Sequence, residues 1–242
     1  MNNKVDQTAS QPLQSMFTAV PPRYDIINHI ITLGMDTRWR KLAARTCMES
    51  NPHYFLDIGC GTGDLSIAVA LIGKPDIKVT GLDYSAPMLI QAKEKANRAG
   101  LAGIIEFVHG QADNLPFPDS YFDSVGITFA FRNLTYKNPL QQPHLAEVLR
   151  VLKNGGRYII AETSQPENAF IRFWFHLYLR AFVAPAGTFI SGNRGAYHYL
   201  SESMSRYYSA LEIKQMLLNA GFSKVSYRHL FFGAAAIHMA VR

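Results

Sequence analysis

From Tyr54 to Val241, short apolar runs alternate with stretches of helical spacing. Tyr54–Ile58, Ile77–Leu82, Ile104–Val108, Phe122–Thr128 and Arg157–Ala161 read as strands, being brief and apolar. Gly63–Leu71, Ala86–Ala99 (ending at Gly100) and Gln141–Leu152 read as helices between them. A further helix at Ser209–Ala220, stopped by Gly221, precedes strands at Lys224–Phe231 and Ala235–Val241, which are expected to pair as a hairpin at the sheet edge. This order predicts an α/β fold: a doubly wound, mostly parallel sheet with a final antiparallel edge strand and helices on both faces.

Two segments break the alternation. Ile26, Ile27, Ile30, Ile31 and Leu33 recur at helical spacing, so one or two helices are expected over Tyr24–Cys47, after a polar start that is frayed or loosely docked. Residues 166–205 are aromatic-rich and helical. There, "FIRFWFHLYLRAFVAPAG" predicts a helix to about Val183 with Pro185 and Gly187 marking its end, and Arg172, His176 and Arg180 share one stripe. The expected organisation is a tail and helical cap (1–50), a ligand-binding core (51–165), a helical lid (166–205) and a C-terminal unit completing the core (206–242).

Composition narrows the class. The chain has 242 residues, 48% hydrophobic and 17% charged, enough for one buried core with attachments. The two cysteines, Cys47 and Cys60, lack metal-ligand spacing, which points to a reducing cytoplasm rather than a disulfide framework. The opening residues lack the apolar segment of a signal peptide, and charges interrupt the most apolar stretch, so neither export nor a membrane span is expected. A net charge of +6 suits an anionic membrane surface or nucleic acid, though such a balance most often serves solubility. The histidines show no ligand spacing, so no metal is expected.

Candidate chemistry begins at "FLDIGCGTGDLS", Phe55–Ser66. Gly59, Gly61 and Gly63 follow the first strand, where an open parallel sheet binds its ligand. The third glycine comes one residue earlier than in a dinucleotide fingerprint. Asp57 and Asp64 flank the loop and would repel a pyrophosphate while accepting from an ammonium group. Asp64 either holds that ammonium or caps the helix beside it. Asp83, closing the second strand beside Tyr84, can accept both ribose hydroxyls. Gln111 and Ala112 could line an adenine edge, and Thr62 and Thr128 complete the expected cofactor contacts. Adenosine with an amino-acid end and no phosphate describes S-adenosylmethionine.

"YDIINHIITLGMDTRW", "LDIGCGTGD", "LPFPDSYFDSVGITFAFRNLT", "RVLKNGGRYIIAETSQP", "AYHYLSES" and "LLNAGFSKVSYRHLFFGAAAIHMAVR" resemble the demethylmenaquinone and ubiquinone C-methyltransferase family from about Tyr24 to the end. "ETSQP" is nearer the menaquinone branch. The resemblance implies methyl transfer from S-adenosylmethionine to a ring carbon of a prenylated quinol. The sequence departs from the family pattern at Thr32 (serine usual), Asp36 (histidine), Asn154 (proline), and Ala196 and His198 (serine and arginine). Those at 36, 196 and 198 bear on the acceptor, so another small apolar acceptor is the alternative.

Such chemistry needs alignment of carbon, methyl and sulfur, and a quinol carbon made nucleophilic by loss of a hydroxyl proton. In "FRNLT", past the fourth strand, Arg132 is the candidate for stabilising the phenolate and Asn133 for orienting a quinol oxygen; a surface salt bridge is the other reading of Arg132. Tyr24, Tyr197 and Tyr199 are candidates for the acceptor pocket, or for aromatic packing. The apolar lid would suit a prenyl tail or an anionic bilayer surface, or would simply pack on the core. "TFAFRN" lacks the Asn/Asp-Pro-Pro-aromatic loop of amino-directed nucleic-acid methyltransferases, so no nucleic-acid partner is expected, while a homodimer is left open.

Overall fold

A computed structural model of the chain describes residues 29–191 and 194–242. A single sheet of seven strands forms the centre, in the order β3-β2-β1-β4-β5-β7-β6. The strands are β1 (Tyr54–Ile58), β2 (Lys78–Asp83), β3 (Ile105–His109), β4 (Phe122–Thr128), β5 (Leu152–Thr163), β6 (Lys224–Leu230) and β7 (Ala235–Val241). The first five are parallel, and β7 runs antiparallel to both β5 and β6. The expected hairpin is present. Its antiparallel member, however, lies one place in, and β6 forms the edge.

Alternation along β1 sends Leu56 and Ile58 into one core layer and Phe55 into the other. The first layer holds Phe122, Val125, Tyr158, Ile213 and Leu217; the second holds Ala43, Ala44, Leu65 and Val69. Each buried aliphatic or aromatic side chain contributes roughly 1.5–3 kcal/mol. Helices α1 (Met35–Met48), α2 (Asp64–Ile72), α3 (Ala86–Arg98), α4 (Phe131–Thr135) and α5 (Gln141–Val151) connect or cover the strands. The short α4 was not legible as a helix. Tyr24, Ile26 and Ile27 lie outside the described residues; of the expected N-terminal helices, residues 29–31 are helical and a turn leads from them into α1.

The segment expected to form a lid comprises α6 (Ala169–Tyr178), a π-helical turn (Leu179–Val183), α7 (Ala184–Ser191) and α8 (Arg194–Ser205). Helix therefore continues through Pro185 and Gly187 instead of ending there. Proline ordinarily collides with the carbonyl four residues earlier, and the wider π turn just before it changes that geometry. Leu179, Val183 and Tyr197 pack with Ile31 into a separate small core. Helix α9 (Ala210–Ala220) opens with a reciprocal Ser209–Glu212 capping box and closes at Gly221, φ 112°. Among the described residues, no helix is long and apolar enough to cross a membrane.

Candidate active site

Strand order reverses between β2-β1 and β1-β4, and the loops after β1, β2 and β4 meet there in a cleft of about 1230 Å³ including its open mouth. Gly61 is the residue that makes room. Its φ is 54°, and a Cβ added there would meet no protein atom within 4 Å, so it faces the cleft itself. Its N–H donates to Asp83 Oδ2 at 2.8 Å, and Ser85 N–H donates to Asp83 Oδ1 at 2.8 Å. The Tyr84 amide also acts on this carboxylate, which can accept about four bonds, so roughly one place remains for a hydroxyl donor in the cleft. Burial lifts the Asp83 pKa above the usual range, while these amides pull it down.

Among the expected cofactor contacts, Gly59, Gly61, Thr62, Asp64, Asp83, Tyr84, Gln111, Ala112 and Thr128 line the cleft together. Asp57 and Gly63 do not. Asp57 lies beneath the loop, fully buried, where Ser66 N–H and Oγ–H donate to Oδ2 at 3.0 and 2.6 Å and Oδ1 has no partner. Burial raises its pKa to about 7 against those bonds. Its position ties β1 to the start of α2. Gly63 is the left-handed residue before α2, φ 83°, and a Cβ there would press on Phe107 at 3.1 Å.

Asp64 lines the cleft beside two basic side chains. It makes no side-chain cap. Instead Lys95 Nζ meets Oδ1, and Arg40 Nη1 meets Oδ2 at 3.2 Å. Arg40, which sequence reasoning missed, lines the cleft, also reaches Asp36 Oδ2 at 2.8 Å, and lies 5.4 Å over the Phe129 ring. A lone basic residue on a helix outside the core gave no signal. Two departures from the family pattern touch here: Thr32 Oγ1 donates to Asp36 Oδ1 at 3.0 Å, on an Asp36 that is buried. His29 Nδ1 reaches the same oxygen at 2.9 Å.

On the acceptor side the expectations divide. Asn133 lines the cleft. Arg132 does not: it is buried one residue away, and neither faces the cleft nor forms a surface salt bridge. Its N–H donates to Glu162 Oε2 at 3.0 Å, Nη1 donates to Ser203 Oγ of α8, and Nε has no partner. Tyr199 is half-buried, and burial raises its pKa while the Arg132 charge pulls it down. Tyr197 is a core residue against Gly187 and Leu179. Tyr24 lies outside the described residues, and His198 is exposed. Among the described residues no cluster of metal-ligating side chains occurs.

A family model described as the ubiE/COQ5 methyltransferase family matches residues 4–242. The chain belongs to that family. Its likeness to curated members runs nearly end to end. The demethylmenaquinone methyltransferase of Thermus thermophilus is 39% identical over 94% of this chain and 100% of its own. The ubiquinone/menaquinone biosynthesis C-methyltransferase UbiE of Pseudomonas fluorescens is 32% identical over 99% and 92%. A crystal structure of a SAM-dependent methyltransferase from Aquifex aeolicus shares the fold, with TM-score 0.59, 20% identity and 98% of each chain covered. S-adenosylmethionine-dependent methyl transfer in quinone biosynthesis is thus the chemistry of the family.

Proposed function

We propose that the protein transfers the methyl group of S-adenosylmethionine to a ring carbon of a prenylated quinol, demethylmenaquinol giving menaquinol. The full-length likeness to the Thermus enzyme carries the choice of acceptor. The cleft suits the donor. It offers a phosphate-free nucleoside the unused acceptor capacity of Asp83 and the open face of Gly61. It offers a zwitterionic amino-acid end an alternating chain of Asp36, Arg40, Asp64 and Lys95. When bound, S-adenosylmethionine supplies a methyl already activated by its sulfonium.

The chain's own residues then have separate tasks. Asp83 holds the ribose, and Arg40 pairs with the carboxylate of the methionine end, its Nη1 being the atom spent on Asp36 and Asp64. Phe129, Leu134 and Leu140 give the cleft apolar walls that exclude water near the transferring carbon. Asn133 orients a quinol oxygen. Arg132 stabilises the phenolate from behind by its field, as it does at Tyr199, without touching the ring. Peripheral contact with an anionic membrane surface on the cytoplasmic side belongs to the same reading, since that is where a prenylated acceptor resides.

Purified protein with methyl-labelled cofactor and a panel of short-chain quinols tests the assignment. Label in the quinol ring is expected. Retained cofactor binding with transfer to none of the quinols would overturn it.

A further inference from the structure

The outer face of α6 is apolar and bare. Phe170, Phe173, Trp174 and Leu177, at spacings that share one helix face, are 71%, 62%, 53% and 43% exposed. A second apolar projection stands beside the start of this helix. Phe231 and Phe232, in the turn between β6 and β7, are 48% and 74% exposed. Both hold left-handed backbone, φ 43° and 55°, which large L side chains rarely adopt.

The turn is fastened to the approach to α6. Ser164 Oγ donates to Gly233 O at 2.7 Å, Ser164 N–H donates to Ala234 O at 3.0 Å, and His229 Nε2 meets Glu167 Oε1 at 3.3 Å. Two segments distant in sequence therefore present aromatic rings on neighbouring ground. One of them does so through backbone that phenylalanine does not favour.

Charge decides what covers this surface. Residues 167–180 and 228–232 carry Arg172, Arg180 and Arg228 against the single acid Glu167, which is paired with His229. Arg180 and Arg228 are exposed. Phenylalanine and tryptophan flanked by Arg180 and Arg228, with the carboxylate of Glu167 at the joint paired to His229, match the interfacial zone of an anionic bilayer, where rings enter the acyl boundary and guanidinium groups meet phosphates. We propose that the α6 face and the Phe231–Gly233 turn together dock the protein on an anionic lipid surface. This deepens the membrane contact above and rests on the lipophilic acceptor assigned there.

Vesicles of phosphatidylcholine alone, or mixed with phosphatidylglycerol, are sedimented with the purified full chain. The mixed vesicles are expected to bind it about 25-fold better at low salt, with the advantage falling as salt rises. Phe173→Ser with Trp174→Ser lowers binding to mixed vesicles by about tenfold or more. Arg180→Gln with Arg228→Gln removes only the anionic advantage, about fivefold per arginine. Phe232→Gly relieves the left-handed backbone, so it binds vesicles less well without losing stability. Brominated lipid quenches tryptophan emission, and Trp174→Phe abolishes that quenching while binding persists.

Absence of binding to mixed vesicles, or binding that these variants leave unchanged, overturns the proposal. So does a dimer, seen by sedimentation velocity, that the Phe173/Trp174 variant splits, because the face then belongs to a second copy. Transfer to a short-chain quinol in solution separates the two readings. Vesicle failure with transfer intact removes the docking surface alone, and transfer failure with vesicle binding intact removes the acceptor alone.

Discussion

The carboxylate of Asp83 accepts the N–H of Gly61 at 2.8 Å, so the acid at the end of β2 also fixes the shape of the loop after β1. Gly61 has φ 54° and faces the cleft, whereas Gly155, φ 75°, also has open space but lies in the turn within β5. Alanine at either position is expected to destabilise by about 1–2 kcal/mol through left-handed backbone. Gly61→Ala alone is expected to lose S-adenosylhomocysteine binding in calorimetry. Equal binding by both variants would remove Gly61 from the cofactor site.

Arg40 gives a prediction that discriminates within the ligand. Arg40→Ala is expected to weaken binding of S-adenosylhomocysteine by about ten- to a hundredfold, the loss of one charge-assisted pair. Methylthioadenosine, which lacks the amino-acid end, should bind wild type and variant alike. A loss shared by both ligands would assign Arg40 to holding the loop through Asp64 instead.

The role proposed for Arg132 predicts a change in the pH profile. A phenolic hydroxyl titrates near 10 and a neighbouring guanidinium lowers that value. In Arg132→Met the alkaline-rising limb of kcat with a short-chain quinol is expected to move up by about one unit. An unmoved limb with lower kcat would confine Arg132 to holding α8 through Ser203.

Stability against pH separates two opposing groups. Burial depresses His144 and His238 to about 4. The unfolded chain then binds more protons than the folded one between about pH 4 and 6.5, so this stabilisation is present above 6.5 and lost as pH falls. Each contributes on the order of 3 kcal/mol. Asp57, raised to about 7, has the other sign: its protonated folded form is favoured up to that pH, and stability falls as pH rises from about 4 to 7. Urea titrations are expected to show a net rise from pH 4 to 6.5, and a steeper one in Asp57→Asn. A rise no steeper in that variant would show Asp57 ionised in the folded protein.

The sheet was legible because β1, β2 and β4 are short runs with apolar residues for both faces, and both faces are buried, as in a covered parallel sheet. The glycine loop and Asp83 were legible because spacing alone places them at strand ends. Arg40 was not, since its approach to Asp64 depends on how α1 crosses α2 in space. The orientation of Arg132 was not legible for a related reason: it depends on burial beside α8, where the guanidinium meets Ser203. The π turn before Pro185 leaves no composition mark, so proline was read as a stop.

One contact gives the lid a chemical meaning. Because Ser203 supplies an oxygen to a guanidinium inside the protein, swinging α8 outward strips that cation of a partner and admits water to it together. Under the proposed role of Arg132, such a displacement would weaken the potential that favours an oxyanion, so Ser203 would link the position of α8 to activation of the acceptor.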